Sequence, residues 1–184
     1  LIIGNAPIKK KNMGEKIDKF DYVVRFNNYK IEGYESDIGK KITDWIISDT
    51  YCLLYYDKFK KTIDRHLGLN INIIIPNVFK DNKQKLYQKI SSDILEKCNI
   101  LIQDKDLIVD KKYNFGRRWP SSGILAIYYY LKFFDKVTIF GFNNFDSKEG
   151  SIHYYEDRKQ IGHNNSIEKQ ILDDLEKDGR LIRL

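Results

Sequence analysis

The feature that most constrains the fold is the alternation of short strand-like runs with longer helical patterns along the 184 residues. The runs rich in β-branched or aromatic residues lie at 1–3, 22–26, 43–48, 71–76, 99–102, 136–142 and 180–184. Helical patterns lie at about 55–66, 82–97, 122–134 and 166–178. This alternation favours a mostly parallel sheet with helices on its faces. We therefore expect a single α/β domain with a Rossmann-like fold over residues 1–184.

The last helical pattern is the best defined. Its apolar residues recur at helical spacing, at Ile167, Ile171, Leu172 and Leu175. Gly179 supplies a stop signal, and Asn165 with Glu168 three residues later resembles a capping box. Glu168 is therefore expected to cap this helix and to fix the loop before it.

Composition limits the class of protein. An apolar fraction of 42% can supply a core, and no apolar run approaches the roughly 20 residues of a membrane-spanning helix. Two cysteines provide no disulfide framework, which favours a reducing compartment. The net charge of +6 suits anionic ligands, but it is equally expected of a lysine-rich solvated surface. Because the chain does not open on Met, we expect it to be part of a longer protein.

The first two predicted strands end in polar side chains. Gly4 and Asn5 follow the first strand without a GxGxxG or Walker pattern, so dinucleotide and ATP sites lose support. Arg25 and Asn27 end the second strand, where they suit a phosphate, ribose hydroxyls or the edge of a base. Rossmann-like sheets bind ligands outside the carboxyl ends of their strands. A simple turn and a solvated strand end are the alternative interpretations.

The entrance of the third helical pattern is a candidate anion site. Pro120 is followed by Ser121, Ser122 and Gly123, which present hydroxyls and N–H groups at the positive end of a helix dipole. A serine that only caps the helix is equally expected. Both roles can hold for neighbouring serines.

Two of the three histidines lie shortly before the last helix. His163 is expected in the loop preceding it, where a histidine can act as a general base. His153, followed by two tyrosines, could donate to a departing phosphate. An exposed loop histidine and an aromatic patch that packs a loop are the alternatives. His66, at the end of an amphipathic pattern, is expected to be structural.

Four segments resemble, in order, the sialylmotifs of the eukaryotic-type sialyltransferase family. Residues 4–45, from GNAP to ITDW, are similar to the large motif, and residues 119–142, from WPSSG to IFGF, to the small motif. HYYE at 153–156 is similar to the third motif, and HNNSIE at 163–168 to the very small motif. Because the four span nearly the whole chain in the family's order, the chain is identified as a member.

The resemblance implies a variant GT-A glycosyltransferase fold. It also implies transfer of sialic acid from CMP-sialic acid to a sugar hydroxyl, with inversion and with no metal or other cofactor. By position, His163 would be the base, and His153 would assist departure of the phosphate. The donor-binding residues would be Asn5, Arg25, Asn27, Ser121, Ser122, Gly123, Gly141 and Tyr154. A metal held by Asp104 and Asp106 is the weaker alternative.

The chain departs from animal members of the family at their cysteines. Phe134 occupies the cysteine position of the small motif, and the large-motif stretch contains no cysteine. We therefore expect a bacterial, cytoplasmic enzyme that associates peripherally with the inner face of the membrane. Its expected partners are a CMP-sugar donor and a glycan or glycolipid acceptor, without nucleic acid. CMP-Kdo is the alternative donor, and a non-catalytic nucleotide- or RNA-binding module is the alternative from another class.

Overall fold

The computed structural model describes most of the chain. The described residues are 1–48, 57, 60, 63–64, 70–78, 80–90, 96, 99–104, 110, 112–116, 118–143, 153–155 and 163–184. Most of the predicted helix at 55–66 falls outside them. So do His66, Asp106 and the two cysteines, Cys52 and Cys98.

Seven strands form one parallel sheet within the described residues. The strands are β1 (Ile2–Ile3), β2 (Val24–Phe26), β3 (Asp44–Ile46), β4 (Asn72–Val78), β5 (Asn99–Asp104), β6 (Val137–Phe140) and β7 (Leu181–Arg183). Their order is β5-β4-β3-β2-β1-β6-β7, and every neighbouring pair is parallel. The predicted parallel sheet is confirmed, and each predicted strand overlaps one of these.

Five helices accompany the sheet in the described part of the chain. They are α1 (Gly14–Asp18), α2 (Glu35–Ile38), α3 (Lys80–Lys89), α4 (Ser122–Tyr130) and α5 (Asn165–Lys177). The predictions for α4 and α5 are confirmed, although α4 ends earlier than expected and residues 131–133 form a turn. The sequence did not predict α1 and α2, because four or five residues are too few to show a helical period.

Both faces of the sheet are covered, because successive strand side chains point to opposite sides. One face packs against α4 and α5, in a cluster that includes Ile2, Val24, Ile46, Ile127 and Leu172. The other face carries two clusters, one around Trp45 and one around Ile17 of α1.

The strand order reverses direction at β1. The chain proceeds from β1 outward to β5 and then returns to place β6 on the other side of β1, which creates a topological switch point. Gly4 and Gly141 follow these two strands in direct contact. A Cβ on Gly4 would lie 2.3 Å from the Gly141 carbonyl oxygen, and Gly141 has a φ of +70°. Close approach thus requires glycine at Gly4, and the backbone conformation favours it at Gly141.

Candidate active site

The switch point also receives the start of α4. The ring of Phe142 lies between Gly4 and Gly123, and a Cβ on Gly123 would lie 2.7 Å from that ring. Gly4 and Gly123, which are far apart in the sequence, therefore meet around one aromatic side chain. The sequence pattern placed Gly123 in an anion site but did not reveal this packing role.

Asn5 connects the end of β1 with the segment that carries His153. Its Nδ2 donates to the Phe26 carbonyl and to the Tyr155 hydroxyl, each at 3.3 Å. The His153 ring stacks on Tyr155, with ring centroids 5.2 Å apart. His153 is therefore linked to Asn5 through Tyr155. Tyr155 makes this connection, although the sequence favoured Tyr154 as the functional tyrosine.

Tyr154 forms hydrogen bonds with Lys30 in the segment that follows β2, residues 27–34. Its backbone N–H donates to the Asn5 carbonyl at 2.9 Å. Its hydroxyl accepts from the Lys30 N–H at 3.1 Å and donates to the Lys30 carbonyl. Burial raises the pKa of this hydroxyl. Tyr154 therefore joins the 27–34 segment to the end of β1.

Asn27 ends β2 in a left-handed conformation, with a φ of +44°. Its Oδ1 accepts from the Ser48 N–H at 3.1 Å, and its carbonyl accepts from the Trp45 indole at 2.8 Å. Asn27 is half-buried at the carboxyl edge of the sheet. The expected strand-end position is confirmed, and the side chain also secures the end of β3.

Arg25 does not lie at an exposed strand end, so that part of its prediction is wrong. It occupies the middle of β2 and is 1% exposed. Its Nη2 donates to the carbonyls of Ile38 and Gly39, at 2.8 and 3.0 Å, and its Nε donates to the Lys41 carbonyl at 3.0 Å. Burial lowers its pKa. Because the guanidinium points into the fold, it holds the connection between β2 and β3.

Ser121 is the N-cap of α4. This confirms the cap, which was one of the two roles predicted for the serines at this helix start. Its Oγ accepts from the Ile124 N–H at 3.3 Å, and the residue is 6% exposed. Ser122 and Gly123 form the first turn of the helix and are half-buried. The positive end of the helix dipole thus lies beside the switch point.

Glu168 does not cap its own helix, and the capping-box prediction is wrong. The N-cap of α5 is Asn164, which accepts from the Ile167 N–H. The Glu168 carboxylate instead accepts from the N–H and the hydroxyl of Ser121, both at 2.8 Å. This carboxylate reaches from α5 to α4 because Ser121 presents two donors in the buried contact between the helices. Burial raises its pKa, while the Ser121 hydrogen bonds and His163 oppose the rise.

His163 lies directly before the N-cap of α5, and its side chain is 26% exposed. Its Nδ1 is 3.2 Å from the Trp119 carbonyl and 4.0 Å from a Glu168 oxygen. Its own carbonyl accepts from Arg118 at 2.7 Å. A carbonyl oxygen can only accept, so Nδ1 carries the proton in this contact. In this tautomer the ring lone pair lies on Nε2.

The model of glycosyltransferase family 29 (sialyltransferase) matches residues 1–180. The chain belongs to this family. The resemblance to the sialyltransferase family is thereby confirmed.

Two curated family 29 relatives indicate how much of such a protein the chain represents. Human CMP-N-acetylneuraminate-beta-galactosamide-alpha-2,3-sialyltransferase 1 is 28% identical over 178 residues, which cover 88% of this chain and 48% of the human protein. The type 2 lactosamine alpha-2,3-sialyltransferase of Rattus norvegicus is 25% identical over 219 residues, which cover 100% and 63%. The chain thus spans about half the length of the human relative.

Solved structures of mammalian sialyltransferases share the fold. A crystal structure of a mammalian sialyltransferase matches with a TM-score of 0.73 at 23% identity, covering 100% of this chain and 67% of the other. A second mammalian structure, in complex with Gal-beta-1-3GalNAc-ortho-nitrophenol, matches with the same TM-score at 25% identity. The α/β architecture is therefore that of a mammalian sialyltransferase.

Two further features concern metals and membranes. Among the described residues, no three His, Cys, Asp or Glu side chains are grouped so that they could hold a metal ion. The side chain of Asp104 and the whole of Asp106 lie outside that part of the chain. None of the described helices has the length and apolar character needed to cross a membrane.

Proposed function

We propose that residues 1–184 form a single, inverting, metal-independent glycosyltransferase domain that moves sialic acid from CMP-sialic acid to a hydroxyl of a glycan or glycolipid. The observation that carries the proposal is the convergence of motif residues at the switch point between β1 and β6. Asn5, His153 and the N-terminal turn of α4 approach it through the contacts of Gly4, Phe142 and Gly123. The variant GT-A class and a cytoplasmic location at the inner face of the membrane are part of the same proposal.

The donor would lie across the carboxyl ends of β1 and β6. Ser122 and Gly123 would hold its phosphate and ribose, because the helix N-terminus favours negative charge. Asn5 and Asn27 would contact the rest of the CMP. The remaining donor-site residues, Arg25, Ser121, Gly141 and Tyr154, would shape the walls, since their polar groups or backbones are engaged within the protein.

Transfer requires two protein functions, because CMP is already a good leaving group. His163 would take the proton from the acceptor hydroxyl at Nε2, while Nδ1 donates to the Trp119 carbonyl. His153, oriented by Tyr155, would stabilise negative charge on the departing phosphate. Direct attack of the hydroxyl oxygen on the anomeric carbon, opposite the phosphate, gives inversion.

The test measures CMP release from CMP-sialic acid and from CMP-Kdo, with and without Galβ1-3GalNAc glycosides as acceptors. We expect acceptor-dependent release from CMP-sialic acid and formation of a sialylated product with the inverted linkage. If CMP were released from CMP-Kdo and not from CMP-sialic acid, the donor would be CMP-Kdo. Thermal stabilisation by an oligonucleotide, with no stabilisation by CMP and no CMP release, would overturn the transferase proposal.

A further inference from the structure

The segment that enters α4 contacts both the ring and the backbone of His163. The Trp119 carbonyl lies 3.2 Å from the ring Nδ1, and Nη1 of Arg118 donates to the His163 carbonyl at 2.7 Å. Two adjacent residues therefore hold the proposed base at two of its atoms. We propose that Arg118 is a positioning residue for the transfer reaction, which keeps the His163 imidazole in the orientation that the acceptor hydroxyl requires. This inference rests on the proposed function.

The backbone of Arg118 is attached to the core. Its N–H donates to the Phe115 carbonyl at 3.2 Å, and Phe115 packs against the core cluster on the α4 and α5 face. In the same turn Gly116 has a φ of +63°, and its N–H donates to the Asn114 side chain at 2.9 Å. The arginine therefore reaches His163 from a fixed starting point.

The carbonyl that Arg118 binds lies just outside α5. The Asn164 carbonyl accepts from the Glu168 N–H at 3.0 Å, as a helical carbonyl does. The His163 carbonyl is one residue earlier and accepts from Arg118 instead. A hydrogen bond from an ionised donor is roughly twice as strong as one between neutral groups. Arg118 therefore restrains rotation of the peptide that leads into the helix, and such a rotation would carry the imidazole with it.

Orientation is the main effect of Arg118, because its guanidinium is exposed and its charge is screened by water. Trp119 alone would hold the residue only at its ring. With Arg118 on the carbonyl, His163 is held on different sides of its Cα, which fixes the direction of Nε2. A misplacement of a reacting group by about 1 Å can cost about a hundredfold in rate. Arg118 thus acts through His163 and needs no contact with the substrate.

A double-mutant cycle on Arg118 and His163 tests this role. Methionine at position 118 keeps much of the length of the side chain and removes its donors. We expect Arg118→Met to reduce kcat by about tenfold, with the KM for CMP-sialic acid changed by less than about threefold. In the His163→Ala background, the same substitution should reduce the residual CMP release by less than about twofold. Arg118→Lys keeps a charged donor and should be at least about threefold faster than Arg118→Met.

The matched control is Arg183→Met, which removes the same charge elsewhere. Arg183 also binds α5, through the exposed carboxylates of Asp173 and Glu176. Its kcat should stay within about twofold of the unchanged protein. The Tm of Arg118→Met and of Arg183→Met should each fall by less than about 2 °C, because both side chains lie at the surface.

Three results would each overturn the positioning role. They are an Arg118→Met enzyme as fast as Arg183→Met, an equal loss with and without His163, and an Arg118→Lys enzyme no faster than Arg118→Met. A rise in KM without a fall in kcat would also overturn it and would assign Arg118 to substrate binding. In every case the unchanged protein would still transfer sialic acid, so the proposed function would stand. An unchanged protein that releases no CMP would overturn the proposed function itself.

Discussion

The role that we propose for His163, that of the base, depends on the hydrogen bond at Nδ1. The Trp119 carbonyl holds the proton on Nδ1, which leaves Nε2 as the nitrogen that can accept one. The side chain is 26% exposed, and the proposed role requires such exposure. A histidine with the reverse tautomer would present a donor to the acceptor and could not act as a base.

Replacement of His163 by alanine should therefore separate chemistry from donor binding. We expect His163→Ala to reduce kcat by roughly a hundredfold or more, because a positioned general base contributes about 10²–10⁴-fold. CMP affinity, measured by calorimetry, should change little, since the α4 start and Asn5 are unaltered. The variant His153→Ala should slow departure of CMP, so a donor with a better leaving group should restore more of its rate. Near-normal turnover of His163→Ala would show that another group is the base.

The buried carboxylate of Glu168 makes stability depend on pH. Burial raises its pKa above the ordinary value of 4.5, so just above that pH the folded chain binds more protons than the unfolded chain. The free energy of unfolding therefore falls as the pH rises through this window. Because glutamine does not titrate, Glu168→Gln should gain stability relative to the unchanged protein as the pH rises above 4.5. Urea unfolding at several pH values measures the difference.

Asp174 provides a control, because its pKa is shifted in the opposite direction to that of Glu168. The hydrogen bond from Tyr113 lowers its pKa below the ordinary value of 3.8. Its contribution to stability is present above that value and is lost as the pH falls through the lowered pKa. Asp174→Asn should thus differ most from the unchanged protein near neutrality and least in acid. A stability gap for Glu168→Gln that stays constant with pH would contradict the assignment of Glu168 as a buried titrating group.

At the scale of elements, the connection between β2 and β3 depends on one buried guanidinium. Arg25 donates to three carbonyls of residues 38–41. The guanidinium carbon of Arg25 also lies 5.7 Å from the centroid of the Tyr29 ring. Gly39 in this connection has a φ of +68°. The backbone N–H groups of Lys40 and Lys41 donate to the carboxylate of Asp18 in α1. The part of the connection that follows α2 is therefore held from both sides.

Lysine at position 25 keeps a positive charge but cannot reach three carbonyls with a planar fork. We expect Arg25→Lys to lower the free energy of unfolding by about 2–4 kcal/mol, because buried carbonyls lose their donors. The matched control, Arg183→Lys at the surface, should cost less than about 1 kcal/mol. Unchanged stability with weakened CMP binding would instead favour the donor-binding role that the sequence predicted for Arg25.

At the scale of the whole molecule, local patterns predicted the sheet better than the site. The strands and the helices α4 and α5 follow from periodicities that repeat within one element. Two contacts in the site cannot be recognised from any local sequence pattern. Glu168 and Ser121 are 47 residues apart in sequence, and the identity of Glu168 fits a capping box as well as it fits a long-range contact. The contact of Phe142 with Gly4 and Gly123 likewise appears only once the strands are ordered.

The arrangement of the whole molecule bears on how the departing phosphate is neutralised. The helix α4 directs its positive end to the switch point, and Tyr155 links His153 to Asn5, which follows β1 at the same point. A net charge of +6 favours the approach of an anionic donor. These groups can together supply the stabilisation that a divalent ion supplies in other transferases.

We therefore expect CMP release to be insensitive to chelation. With excess EDTA the rate should stay within about twofold of the untreated rate, because the chain's own groups bear the phosphate charge. His153→Ala provides the complementary measurement, since added Mg²⁺ should not restore its rate if no ion takes part. Loss of activity in EDTA, followed by recovery with Mg²⁺, would contradict this expectation. Substitution of Asp104 and Asp106 by asparagine would then locate the ion.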